Sequence, residues 1–306
     1  MEEFIFRSNN KENMIHGVIW LPEGKVRAIV QIAHGMIEFI ERYDDFAKFL
    51  NKHGILVIGH DHIGHGKSVK SPEEWGYLGV NKGGEILVRD MLSVTKRIKD
   101  EYPDVPYFLL GHSMGSFMAR RYLINFGSCL NGAIIMGTGN PSAASLAGGR
   151  LLTASLTKLH GPMYRSPQVT KIAFGSYNKH IENPQSKNAW LSRDEAVVEK
   201  YDNTPENTFE FTASGFNQIF ETISYVENKK LIDRIPKDLP ILVISGSEDP
   251  VGGYGKEVKK AYEALKDAGI NDVTLKLVEG ARHEVLNETD KEETYEYILD
   301  WINGHI

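Results

Sequence analysis

Short apolar runs alternate with amphipathic stretches through the first 137 residues. FIFRS from Phe4 and MIHGVIW from Met14 predict an antiparallel hairpin. RAIVQIA (residues 27–33) and ILVIGH (residues 55–60) are rich in Ile and Val and apolar throughout, which predicts strands buried on both faces. Between them, ERYDDFAKFLNKHG sets Tyr43, Phe46, Phe49 and Leu50 at helical spacing, with Gly54 as a stop, so the segment predicts a β–α–β unit. The rhythm repeats with a helix over GGEILVRDMLSVTKRIKDEY, a strand PYFLL, a helix SFMARRYLINF and a strand GAIIMG from Gly132.

After Gly137 the rhythm fails. Residues 138–230 are polar and aromatic, with broken helical patches and no strand-like run, and then the alternation returns. LPILVIS (residues 239–245) predicts a strand, YGKEVKKAYEALKDAG a helix, VTLKLV a strand and KEETYEYILDWING a closing helix. The expected architecture is α/β, a mostly parallel central sheet flanked by helices. Its core is formed by residues 1–137 and 231–306, and an inserted helical cap by residues 138–230, an insertion too long for a simple connection.

Composition narrows the function classes. The chain has 306 residues, 41% hydrophobic and 25% charged, which is ordinary globular usage. A net charge of −6 supplies no overall basic field for a polyanion, so nucleic acid is not an expected partner. Cys129 is the only cysteine, which excludes an intrachain disulfide and a cluster of zinc-binding thiolates. Acidic residues at the N-terminus and the lack of a 20-residue apolar window make a cytoplasmic location the expectation.

Gly111-His112-Ser113-Met114-Gly115 follows the strand PYFLL and opens the helix SFMARRYLINF. A G-x-S-x-G in strand–turn–helix context lifts a serine hydroxyl above the carboxyl end of a sheet, at the positive end of the next helix. A serine nucleophile needs a base and the base an orienting acid, in the order Ser, Asp or Glu, His for this architecture. Asp249 in GSEDP follows the strand LPILVIS, and His283 in EGARHEV follows the strand VTLKLV, so both project from strand ends on the side of Ser113. Glu248 competes with Asp249 for the acid role. The N–H of Met114 and the N–H of Met36, in the loop after RAIVQIA, are the candidate oxyanion donors.

His60-Asp61-His62-Ile63-Gly64-His65 offers a rival reading, because H-x-H-x-x-H can hold a metal. Gly64 stands where the related metallohydrolase pattern has a ligating Asp, and no second ligand set follows downstream. No metal site is therefore expected. The expectation is a tight loop of Asp61, Gly64, His65, Gly66 and Ser68 that braces the oxyanion loop.

On these residues the chain resembles the α/β-hydrolase superfamily, and within it the monoacylglycerol lipase and lysophospholipase-like group. His34-Gly35-Met36-Ile37-Glu38 with Arg42-Tyr43 resembles the family's H-G-x-G-E and R-Y, residues 61–68 resemble its D-x-x-G-H-G-x-S, and Gly111 to Gly115 match its G-H-S-M-G. Trp190-Leu191-Ser192-Arg193-Asp194 with Tyr201 and Pro205 resembles the cap segment, and Gly246 to Asp249 and Glu279 to His283 resemble the acid and histidine loops. The resemblance implies a serine esterase of acyl glycerols or similar lipid esters, with the triad Ser113, Asp249 and His283, favours Asp249 over Glu248, and requires no cofactor.

Ile37 replaces the family's second glycine. A β-branched residue resists positive φ, so the oxyanion loop is expected to run with a different backbone or a narrower acyl pocket. Gly35, Ile37, His112, Leu152 and Leu156 are the candidate substrate-lining residues. Leu146, Leu151, Leu152, Leu156, Leu159, Met163 and Tyr164 form an interrupted apolar series for an acyl tunnel or transient contact with a lipid surface. The same triad serves two alternatives, a short-chain or aryl (phenolic) esterase and a ligand-binding receptor on a hydrolase scaffold.

Overall fold

The computed structural model describes residues 1–306. Its eight strands are β1 (Glu2–Arg7), β2 (Met14–Trp20), β3 (Ala28–Ala33), β4 (Ile55–His60), β5 (Tyr107–His112), β6 (Gly132–Met136), β7 (Ile241–Gly246) and β8 (Val273–Val278). They form one sheet in the order β1-β2-β4-β3-β5-β6-β7-β8. β1 pairs β2 and β2 pairs β4 antiparallel, while every pairing from β4 to β8 is parallel. All residues of β3 to β7 are buried, which is why those strands read as unbroken apolar runs; at the edge, β8 buries only Val273.

Successive residues of each strand feed opposite cores. Ile29, Leu109, Ile135 and Val243 face helices α2 (Gly83–Glu101) and α3 (Met114–Phe126), whereas Val30, Leu110, Ile134 and Leu242 face α1 (Asp44–Lys52) and the C-terminal helix Lys291–Asn303. The stacked layers leave the carboxyl ends of the parallel strands open, and the turns after β3, β5, β7 and β8 carry the residues singled out above.

Between β6 and β7 the chain forms α4 (Ala143–His160), α5 (Pro167–Phe174), α6 (Glu195–Asp202), α7 (Ala213–Val226) and α8 (Lys229–Ile232). Each starts on a side-chain cap, from Ser142, Ser166, Asp194, Thr212 and Asn228 in turn, which satisfies a backbone N–H left free in the first turn. α7 lays Phe216, Ile219, Ile223 and Val226 into the core shared with α2 and α3. The buried Arg120 of α3 donates to Gly139 O at 3.0 Å and Asn140 Oδ1 at 3.2 Å where the insertion begins, and to Val226 O at 3.5 Å near its end. One guanidinium thus ties both roots of the insertion to α3, the helix that follows Ser113. α9 (Lys256–Asp267) and α10 (Lys291–Asn303) complete the chain, and no helix is long and apolar enough to cross a membrane.

Candidate active site

Ser113 occupies the turn between β5 and α3 at φ +53°, in the left-handed region that L-residues enter at a cost of about 1–3 kcal/mol. The turn closes because its glycines carry no side chain: a Cβ on Gly115 would collide with the Ala33 carbonyl, and one on Gly111 with the Gly115 carbonyl. The backbone is secured by Ser113 N–H donating to Met136 O at 2.9 Å and by the Ser116 hydroxyl donating to Ser113 O at 2.6 Å. The Ser113 hydroxyl itself is committed to no other group and lines a cavity of about 920 Å³.

His283 lines the same cavity. Its Nδ1 lies 2.9 Å from Asp249 Oδ1, and both side chains are buried. Asp249 also accepts the Ser245 hydroxyl and the Val251 N–H, each at 2.9 Å. Burial alone would raise the Asp249 pKa, but His283, Ser245 and Val251 outweigh it and hold the carboxyl below its usual range. An ionised Asp249 accepts only, so His283 Nδ1 carries the proton and Nε2 is left as the basic nitrogen. The imidazole packs against His112, at a centroid distance of 4.7 Å, and Trp190, at 5.0 Å, each tilted by 43°. Glu248 is exposed, so of the two acids only Asp249 reaches His283.

The insertion sets the histidine loop. His283 N–H donates to Trp190 O at 3.3 Å and Glu284 N–H to Leu191 O at 2.7 Å, while Arg282 donates to Ala189 O and Ser192 O. The Met36 and Met114 amides, the candidate oxyanion donors, make no intramolecular hydrogen bond, and both residues line the cavity. Met114 N–H is the first of α3, where the helix end adds a favourable field for an anion.

The backbone at Ile37 corrects the first of the two expectations drawn from its β-branching, a different course of the loop. It adopts φ +58°, the left-handed conformation a glycine would take. Tyr201 OH, from α6, donates to Ile37 O at 2.8 Å, and the side chain packs against the cluster of Trp190, Leu191 and Tyr201, so surrounding contacts offset the local strain.

Beneath this loop lies a buried charged network. Glu38 accepts the Gly35 N–H, Tyr43 OH at 3.0 Å, His112 Nδ1 at 3.0 Å and Arg42 at 2.9 Å. Arg42 then forks onto Glu284 with two bonds of 2.7 Å. Burial would raise the Glu38 pKa, but His112 and Arg42 hold it far below the carboxylate range; burial would lower Arg42, but Glu284 and Glu38 raise it instead. The network fastens the oxyanion loop to the residue after His283. The sequence reading gave Glu284 no role; its one signal was a carboxylate beside the base.

Two candidate lining residues do not line the cavity. Gly35 is buried under it, its amide on Glu38 and the place of a Cβ only 3.1 Å from Ser113 Cβ. Leu156 lies one turn further along the same face of α4 than Leu152, beyond the part of the helix that lines the cavity, and packs half-buried against the apolar core. Ile37, His112 and Leu152 do line it, with Leu146, Phe216 and Ile219 among the apolar walls.

The histidine cluster braces the site. His60, His62 and His65 do not bring their nitrogens together as a ligand set. Instead His62 N–H donates to His34 Nε2 at 2.9 Å, while Asp61 accepts the amides of Ile40 and Lys67 and Ser68 Oγ donates to Asp61 O. Burial keeps His34 and His62 neutral and pushes His60 and His65 down to about 3. These pKa values lie below those of the unfolded chain, so the stability is complete above about pH 6.5 and is lost as pH falls, at up to about 1.4 kcal/mol per pH unit for each group. His16 and His112, raised despite burial by Asp61 and Glu38, offset part of this. The expected result is a falling Tm between pH 7.5 and 5, where carboxylates of low pKa stay ionised. A Tm that is flat or rises toward pH 5 would contradict neutral burial of the four.

The matches to known proteins converge on the same group. The family model described as serine aminopeptidase, S33, matches residues 24–290. The monoglyceride lipase homolog of monkeypox virus is 31% identical over 301 residues, 97% of each chain, and the monoglyceride lipase of Rattus norvegicus is 30% identical over 268 residues, 86% of this chain and 78% of the relative. A highly thermostable carboxyl esterase from Bacillus coagulans, solved in complex with glycerol, superposes with a TM-score of 0.92 at 31% identity, covering 99% of this chain and 98% of the other. The chain belongs to this family: it is a serine hydrolase of α/β-hydrolase fold, an esterase of the monoglyceride lipase-like group.

Proposed function

We propose that the protein is a carboxylic-ester hydrolase acting on monoacylglycerols or lysophospholipid-like esters through an acyl-enzyme on Ser113. The observation that carries this reading is the free Ser113 hydroxyl in a largely apolar cavity that also holds His283, oriented by Asp249 at 2.9 Å. His283 Nε2 takes the Ser113 proton as the hydroxyl attacks the ester carbonyl. The amides of Met36 and Met114 stabilise the oxyanion, His283 returns the proton to the leaving alcohol, and water attacks the acyl-enzyme by the same route. Every step uses groups of this chain and calls on no cofactor.

The cavity of about 920 Å³ suits an acyl chain. The likeness to monoglyceride lipases and to an esterase solved with glycerol supports a glycerol ester. In this reading residues 138–230 are a cap that sets specificity, and the enzyme works in the cytoplasm. Transient contact with a lipid surface falls to Leu151, Leu159 and Ile172, which are 72–76% exposed on α4 and α5. Failure of the protein to sediment with phosphatidylcholine vesicles would remove that contact from the account.

Fatty-acid release from monoacylglycerols of graded chain length, measured beside a short p-nitrophenyl ester, tests the substrate class. The expected result is a higher kcat/KM on medium or long chains. Cleavage of the short ester alone would keep the triad and move the protein to the short-chain or aryl esterase alternative.

A further inference from the structure

A buried histidine with one unused nitrogen faces two carboxylates at the foot of the N-terminal hairpin. His16, on β2, is 6% exposed, and its Nδ1 lies 2.9 Å from Asp61 Oδ2. Asp61 also accepts the amides of Ile40 and Lys67, at 2.8 and 2.9 Å, an acceptor role that fits an ionised carboxylate. His16 Nδ1 therefore carries a proton toward Asp61, and Nε2 points away from it. That nitrogen has no hydrogen-bond partner, and it lies 3.4 Å from Glu3 Oε2 of β1. A ring nitrogen and a carboxylate oxygen are held at this separation by something positive between them, a second imidazole proton or a bound cation.

Glu41, in the turn Ile40–Tyr43, closes the third side. One ligand atom each from Glu3, His16 and Glu41 lies within 4.8 Å of the other two. The only cation there is the Lys67 ammonium, at 3.1 Å from Glu3 Oε1 and 2.8 Å from Glu41 Oε1. Lys67 is half-exposed and able to swing into water, and it leaves His16 Nε2 unpaired.

We propose that Glu3, His16 and Glu41 form a binding site for a divalent cation of the zinc class, which displaces the Lys67 ammonium. Nitrogen and carboxylate ligands about 2.0–2.2 Å from a tetrahedral ion stand roughly 3.4 Å from one another, the separation already present between Glu3 and His16. One imidazole with two carboxylates and water suits zinc better than the all-oxygen sets of magnesium and calcium. The pairing of His16 Nδ1–H with Asp61 is the carboxylate–histidine support that orients an imidazole ligand toward a metal. The His60–His65 segment takes no part as ligands. Because Asp61 also accepts the Ile40 amide, the ion links the N-terminal hairpin to the segment following the oxyanion loop. The site stands apart from the catalytic reading and does not depend on it.

The test is calorimetric titration of untagged, metal-stripped protein with zinc chloride at pH 7.5, paired with Tm measurements with and without zinc. One ion per chain and a raised Tm are expected, with no response to magnesium. Glu41→Gln and His16→Gln should each weaken binding by at least about tenfold, and Lys67→Met should tighten it by removing the competing cation. His16→Gln also breaks the Asp61 contact, so Glu41→Gln and Lys67→Met, both at the surface, decide the matter if that variant folds poorly. No saturable heat in the wild type, or an affinity indifferent to both surface substitutions, would overturn the proposal; the second result would mean adventitious zinc only.

Discussion

Ser113→Ala is expected to remove at least about a thousandfold of kcat on any ester the wild type cleaves, with little change in Tm. Loss of the nucleophile leaves only binding and oxyanion stabilisation, and those cannot form the acyl-enzyme. The fold survives because the Ser113 hydroxyl holds nothing together: the turn is secured by its backbone bonds to Met136 and Ser116 and by close packing at Gly111 and Gly115. Steady-state kinetics beside thermal melting separates the two effects. A variant that keeps turnover within a few-fold of wild type would show that some other group attacks the ester.

Arg42→Met should cost about 3–5 kcal/mol of stability, a fall in Tm of about 5–8 °C for a chain of this size. Arg42 is the shared cation between Glu38 and Glu284, two carboxylates almost fully buried. Removing it leaves two buried carboxylates with no shared cation, Glu38 keeping its bonds from Gly35, Tyr43 and His112 and Glu284 only that from Asn287. Arg42→Lys keeps the charge but not the two-bond fork onto Glu284, so it should recover only part of the loss. Thermal melting of the three proteins checks this, and an Arg42→Met Tm within a degree or two of wild type would mean that the network contributes little.

The parallel sheet was legible because β3 to β7 are buried on both faces, and strands such as Ile55–His60 can be apolar at every position only in that setting. The candidate triad was legible for a related reason: Ser113 and Asp249 each follow such a strand, His283 follows the parallel edge strand β8, and parallel strands present their carboxyl ends on one side. The place and helical character of the insertion were legible from the break in rhythm after Gly137, but its individual helices were not, because they depend on caps such as Ser166 and Asp194 and on a stripe in α7 completed only by α2 and α3, far away in sequence. The same distance hid the Arg42–Glu284 pair, whose members are 242 residues apart. Ile37 was misread because side-chain branching gives the local preference, whereas the conformation is set by Tyr201 and the packing around it. Leu156 lies outside the cavity although it shares a face of α4 with Leu152, because the repeat of apolar positions along a helix does not tell where along its length a cavity ends.

The most direct test of the account is to treat the protein with a serine-directed fluorophosphonate and locate the adduct by mass spectrometry of intact protein and peptides. The account predicts one adduct per chain, on the peptide containing Ser113, absent in Ser113→Ala and strongly slowed in His283→Ala, which lacks the base. An adduct on a different residue, or an active preparation that takes up no label, would contradict Ser113 as the nucleophile.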